Sequence, residues 1–198
     1  MPVPRLILAS ASPRRQQLLR EAGYDVDIDP ADIDEEDHPP NLSPGDLAQL
    51  LAGRKADAVA ARHPSDVVLA ADTVVALGAA VLGKPADADH ARRMLRQLGG
   101  TTHRVITAIA VVHASAKLRA YACVGSTVQM RLLSDREIDD YVASGGWRGK
   151  AGGYGIQDPD PFVTRTTGSL TNIVGLPMDE TSSLLSRAGI LPRRASGA

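Results

Sequence analysis

Leu6-Ile7-Leu8-Ala9-Ser10-Ala11-Ser12-Pro13-Arg14-Arg15 joins four apolar residues directly to a helix-start signal. The apolar run is too short to span a bilayer or to act as a signal sequence, so it reads as a short buried strand. Ser12 suits the N-cap, Pro13 the first helical position and Gly23 the C-terminal stop, with Leu18, Leu19 and Ala22 on one face between them. The stretch therefore predicts a strand, a tight turn and a helix.

Downstream, residues 25–40 are acidic and proline-rich and read as a loop or irregular edge. A helix is expected from Ser43-Pro44 to about His63-Pro64, with Leu47, Leu50, Leu51, Ala58 and Val59 as its apolar stripe. Val67-Val68-Leu69-Ala70-Ala71 is a continuous apolar run, expected to be a strand covered on both faces and to end at Asp72-Thr73. A hairpin-like stretch through Gly78 and Gly83 leads to Lys84-Pro85, and a helix over about 87–98 is stopped by Gly99-Gly100. Residues 103–113 and 117–133 suggest an antiparallel hairpin. Ser134 and Glu137 form a capping box for a helix carrying Ile138, Tyr141 and Val142. After the glycine-dense segment 145–155 comes a loop, and Val174-Gly175-Leu176-Pro177 opens the last helix, to about Ala188. Helices alternating with strands early, and strands pairing antiparallel later, predict an α/β fold around a mixed β-sheet with flanking helices. One domain over residues 1–191 is expected, with 192–198 as a flexible tail.

Composition narrows the function classes. A chain of 198 residues with 43% hydrophobic content can bury one sizeable core. Its formal net charge of −1 supplies no global field for nucleic acid or an anionic membrane, so neither is an expected partner and any anion site is local. Aromatics at 3% leave little to stack single-stranded bases on. Cys123 is the lone cysteine, which removes disulfide frameworks and cysteine-rich zinc sites and fits a reducing cytoplasm.

Several residues have the chemistry for a local site. Arg14 and Arg15 lie in the first turn of a helix, where the dipole and free N–H groups already favour anions. Two cations there fit a multiply charged anion, with Ser10 and Ser12 as hydroxyl donors; the alternative is a pair of solvated arginines. Asp72, at the expected end of a buried strand, is suited to bind a divalent metal or accept a proton, or it is a turn aspartate. Asp34, Glu35, Glu36 and Asp37 are a solvated acidic run, or one of them completes a magnesium site. Lys55 flanks a buried stripe and can snorkel, and Lys84 and Lys150 sit in turns as phosphate ligands or plain surface lysines. Gly152-Gly153-Tyr154-Gly155-Ile156-Gln157 permits close backbone approach, and Gln157 carries both a donor and acceptors. Neither a Walker loop nor a Gly-x-Gly-x-x-Gly fingerprint is present.

Taken together, Leu8 to Arg15, Ile33-Asp34-Glu35, Ala71-Asp72-Thr73-Val74, Gly83-Lys84-Pro85, Lys150 to Gln157 and Val174 to Pro177 resemble the Maf family of nucleoside triphosphate pyrophosphatases, in family order. The resemblance implies a two-lobed α/β fold similar to inosine triphosphate pyrophosphatases, with a nucleoside triphosphate in the cleft. It also implies Mg²⁺- or Mn²⁺-dependent cleavage between the α and β phosphates, and a cytoplasmic homodimer. Asp72 matches the family's proton acceptor and Glu35 an active-site acid, the two serving as metal ligands. Ser10, Ser12, Arg15, Lys55 and Lys84 match the phosphate-binding set. Arg14, Thr73 and Gln157 match the substrate-discriminating positions and are similar to the branch acting on dTTP and UTP rather than 7-methyl-GTP. A regulator of septum formation that senses nucleotides is the alternative the resemblance offers. Asp158 departs from the glycine usual after Gln157.

Overall fold

The structure, a computed structural model, describes residues 4–160 and 162–193. A seven-stranded mixed sheet runs β2-β1-β3-β5-β6-β7, with β4 paired to β3. The strands are β1 (Leu6–Leu8), β2 (Asp27–Ile28), β3 (Val67–Leu77), β4 (Ala80–Leu82), β5 (Thr102–His113), β6 (Leu118–Met130) and β7 (Val163–Thr167). The helices are α1 (Pro13–Glu21), α2 (Pro44–Ala60), α3 (Ala88–Leu98), α4 (Asp135–Ser144), α5 (Leu170–Val174) and α6 (Met178–Arg187). β1 is parallel to both β2 and β3, and the remaining pairings are antiparallel.

The expected strand ending at Asp72 is longer than its apolar run. β3 continues through Thr73-Val74-Val75 to Leu77, and pairs with β5 from Val68 opposite Val112 to Ala76 opposite Arg104. The β-branched residues after Asp72 suit a pleated surface, so the ladder carries the carboxylate in mid-strand. Asp72 nevertheless meets open space. On the edge of β3 away from β5, β1 pairs only with Val67–Leu69 and β4 only with Val75–Leu77. Between them, residues 70–74 have a strand on one side alone. This gap in the sheet does for Asp72 what a strand end would have done.

Alternation along β3 then assigns the faces. Val68, Ala70, Val74 and Ala76 pack under α2, whose Leu47, Ala48, Leu51, Ala52, Ala56 and Val59 are buried. Val67, Leu69 and Ala71 pack with Leu19 of α1 and Leu184 and Leu185 of α6 on the other face. A third cluster holds Val75, Val105 and Val128 against Met94, Leu95 and Leu98 of α3, Ile138 and Val142 of α4, and Trp147. The long strands β3, β5 and β6 thus run from a lobe covered on both faces into a second lobe, as expected of a two-lobed α/β protein.

Three elements differ from expectation. β2 lies inside the acidic, proline-rich stretch and exists through pairing with β1, which the local composition hides. β7 replaces the expected loop after the glycine-dense segment; it is an edge strand with four of five residues exposed and one apolar residue, so it shows no alternation. α5 likewise stands in that expected loop and closes at Gly175, with φ +118°, while the last helix, α6, starts after Pro177 as expected. At the C-terminus, the Arg193 N–H donates to the Gly23 carbonyl at 2.8 Å, and residues 194–198 of the expected tail lie outside the described residues. Among the described residues no helix is long and apolar enough to cross a membrane.

Candidate active site

The gap in the sheet opens into a cleft of about 660 Å³, a size usual for small-molecule sites. The ten residues matched to the family's site line it: Ser10, Ser12, Arg14, Arg15, Glu35, Lys55, Asp72, Thr73, Lys84 and Gln157; of the acidic run only Glu35 does, not Asp34, Glu36 or Asp37. With Lys150 and Asp158 also in the wall, five cationic side chains face three carboxylates there. A chain of net charge −1 therefore carries a locally positive cavity.

On the α2 face, Lys55 lies on the buried stripe of its helix rather than snorkelling to solvent, and is 7% exposed. Its Nζ donates to Asp72 Oδ1 at 2.6 Å and reaches Glu35 Oε1 at 2.8 Å. Lys84, from the turn after β4, meets Glu35 Oε2 at 3.1 Å. So the acidic run is not uniformly solvated: Glu35 is turned inward between two lysines. Burial pushes its carboxyl up, but the hydrogen bonds and charges of Lys55 and Lys84 outweigh that and hold it below the ordinary carboxylate value. Asp72, 6% exposed, has its buried charge compensated by Lys55.

On the opposite face, Arg15 is held at three points. Its Nε donates to the Gly175 carbonyl at 2.8 Å, Nη1 to Ser10 Oγ at 3.1 Å and Nη2 to Thr73 Oγ1 at 3.1 Å. Burial lowers its guanidinium from the ordinary value and Asp72 pulls it back up, yet an arginine stays charged throughout. Gly175 is required beside it: its positive φ turns the carbonyl of the α5 cap toward Arg15. Ser12 occupies the N-cap of α1 as expected but its hydroxyl makes no capping bond; its N–H goes instead to Ser10 Oγ at 3.2 Å. The start of α1 is left with free donors and no acidic residue in the first turn, an anion-binding arrangement. Arg14 makes one long contact, 3.5 Å to the Gly149 carbonyl, and Gln157 is exposed.

Sequence reasoning missed the buried polar chain behind Thr73. Thr73 Oγ1 lies 2.9 Å from Thr107 Oγ1, which donates to the Asn172 carbonyl at 3.0 Å. Asn172 Nδ2 donates to the Val105 carbonyl at 3.0 Å and Ser126 Oγ at 2.9 Å. The available signal was a hydroxyl inside the apolar run Val105-Ile106-Thr107-Ala108-Ile109. Lys150, a phosphate candidate from its turn, is instead paired with Asp158.

A divalent metal would find two carboxylates here, Asp72 and Glu35, on either side of one ammonium. Magnesium commonly takes one or two protein carboxylates and fills its shell with substrate phosphates and water. Among the described residues no group of three or more His, Cys, Asp or Glu side chains could complete a cage. The donor set fits a metal that arrives with its phosphates.

A family model described as Maf-like protein matches residues 5–188. A protein of Cereibacter sphaeroides named dTTP/UTP pyrophosphatase is 52% identical over 96% of this chain and 98% of its own length. One of the same name from Anaeromyxobacter dehalogenans is 50% identical over 94% and 95%. A dITP/XTP pyrophosphatase structure from Mycobacterium abscessus covers 92% of this chain and 94% of its own at 18% identity and TM-score 0.47, too distant to argue from.

Proposed function

Because the chain belongs to the Maf family, we propose that it hydrolyses dTTP and UTP to the nucleoside monophosphate and pyrophosphate in this cleft. The observation that carries the reading is the Asp72–Lys55–Glu35 cluster in the sheet gap, opposite a helix start with free donors and a pinned Arg15. A proton acceptor and a phosphate cradle face one cavity, which is what attack of water on a triphosphate needs.

The geometry supports a role for each residue. Arg15, Ser10, Ser12 and Lys84 receive the phosphates, and Arg15 is preorganised because Gly175, Ser10 and Thr73 fix its plane. Lys55 orients Asp72 through one N–H and Glu35 through another, leaving its third for a phosphate oxygen. Among the described residues no donor engages Asp72 Oδ2, so that oxygen is free to take the proton of the attacking water. Asp72 and Glu35 would also hold Mg²⁺ or Mn²⁺, which when bound supplies charge neutralisation on the triphosphate. Gln157 reads the base: its amide donates to a pyrimidine carbonyl and accepts from N3–H. Arg14 and Thr73 complete the selection.

The proposal includes a homodimer in the cytoplasm; light scattering of the purified protein should return twice the chain mass of 20.8 kDa. The activity is tested by pyrophosphate release with Mg²⁺ or Mn²⁺ across UTP, dTTP, CTP, GTP and 7-methyl-GTP. Preference for UTP and dTTP is expected. Preference for 7-methyl-GTP overturns the role of Gln157, and no pyrophosphate from any of them overturns the activity.

A further inference from the structure

Gln157 is exposed, and among the described residues its amide is engaged by no protein group, so its position is set by its loop alone. That loop converges on one side chain. Asp158 accepts from Lys150 Nζ through Oδ1, and through Oδ2 from the Tyr141 hydroxyl at 2.6 Å and the Gly155 N–H at 3.0 Å. The three donors come from α4, from the residue that opens the 3-10 turn at Ala151–Gly153, and from two residues before Gln157. The first two are fixed elsewhere. The Tyr141 ring packs edge-on against Phe162 with centroids 5.1 Å apart, and the turn that Lys150 opens is tied by the Gly152 N–H to the Gly83 carbonyl at 3.0 Å.

We infer that Asp158 is the positioning residue of the substrate-reading loop, bracing Gln157 between the α4 side of the second lobe and the turn that carries Lys150. The inference rests on the proposed role of Gln157 and extends it to a neighbour whose carboxylate oxygens are both taken by protein donors. Hydrogen bonds to an ionised carboxylate are the strong ones, and three of them on one group make the loop rigid before substrate arrives. Gly155 shows how tightly the brace is built. A Cβ there would sit 2.7 Å from Lys150 Nζ and 2.9 Å from both Asp158 oxygens, so any other side chain would have to push the ion pair aside. Tyr141 is consistent: burial, then its bond to Asp158, raises its hydroxyl well above the ordinary value, so it stays a donor. Asp158 also occupies Lys150, which keeps that cation off the phosphates.

The test is steady-state hydrolysis of UTP and GTP by the whole protein carrying Asp158→Asn, Tyr141→Phe, Lys150→Met and the Lys150→Met/Asp158→Asn pair, with amide hydrogen exchange over residues 150–158. Asp158→Asn should raise the KM for UTP about tenfold with kcat within about threefold, and narrow the preference for UTP over GTP. Exchange should quicken in 150–158 and not in the β3–β5 core. The double variant should be no worse than Asp158→Asn alone, because both act through one contact. An unchanged KM for UTP, an unchanged UTP-to-GTP ratio or unchanged exchange in Asp158→Asn overturns the brace. Should Asp158→Asn fail to fold, Tyr141→Phe, which deletes one hydroxyl and keeps the ring, carries the same comparison with an effect of about threefold. If wild-type protein hydrolyses no triphosphate, the activity falls, and the exchange arm alone decides whether Asp158 holds the loop.

Discussion

Replacing Lys55 by methionine should cost the fold more than replacing its partner Asp72 by asparagine, although the two share one hydrogen bond. Lys55→Met keeps most of the buried stem but strands Asp72, which is 6% exposed and whose carboxylate, among the described residues, takes a hydrogen bond from Lys55 alone. Removing one partner of a buried pair costs about 3–5 kcal/mol. Arg15 lies close enough for its charge to act on Asp72, which puts the figure near the lower end, about 3 kcal/mol. Asp72→Asn leaves Lys55 bonded to Glu35 at 2.8 Å and keeps an acceptor for it, so the loss is about 1 kcal/mol. Urea unfolding of both variants at pH 7 measures the gap. Lys55→Met as stable as Asp72→Asn refutes the reasoning. In the same preparations Asp72→Asn should lose about 10²- to 10⁴-fold in turnover.

Other consequences are separable from this one. Burial alone lowers His103 to about 4, from 6.5, so as pH falls the unfolded chain binds that proton first. Stability from this group is whole above pH 6.5 and is lost between 6.5 and 4, roughly 3 kcal/mol in all; in His103→Gln, which can still meet Tyr154, urea midpoints should flatten over that interval. The side-chain and backbone bonds of Ser134, then Arg131, pull Glu137 down to about 2 from 4.5. Its contribution is present above pH 4.5 and lost as pH falls through 2, so Glu137→Gln should lessen the wild-type acid slope without altering turnover at pH 7. Thr107→Val removes the hydroxyl between Thr73 and the Asn172 carbonyl at a fully buried position; it should cost about 1–3 kcal/mol in urea unfolding and weaken discrimination between UTP and GTP. Gly152→Ala places a Cβ 3.0 Å from Val75 at φ +71°, and a loss of stability of about 1–3 kcal/mol is expected by the same measurement.

What was legible in the sequence was what local chemistry controls. Ser12-Pro13, Ser43-Pro44 and the Ser134/Glu137 box mark helix starts because caps act within three residues. The apolar run before Asp72 announced β3. Its length was not legible, because residues 72–76 are held by pairing with β5, roughly thirty positions away. β2 and β7 are invisible for the same reason: each is a strand through its neighbour. The ten candidate site residues do line one cavity, yet their order in the family pattern gave no hint that Asp72 and Thr73 face opposite sides of the sheet. That arrangement comes from strand alternation meeting the gap between β1 and β4, a property of topology. Lys55 and Lys150 show the limit for charged residues. Lys55 is buried on a carboxylate, and its only local signal was Leu51 and Val59 four residues either side, which a snorkelling lysine shares; Lys150 is tied to Asp158, and nothing within four residues distinguishes it from a surface lysine.

The central claim is hydrolysis between the α and β phosphates in this cleft, and following UTP with Mg²⁺ by phosphorus NMR tests it most directly. UMP and pyrophosphate should appear together in equal amounts from the first turnovers, and Asp72→Asn should abolish both. UDP or orthophosphate appearing first, or an undiminished Asp72→Asn, would contradict it.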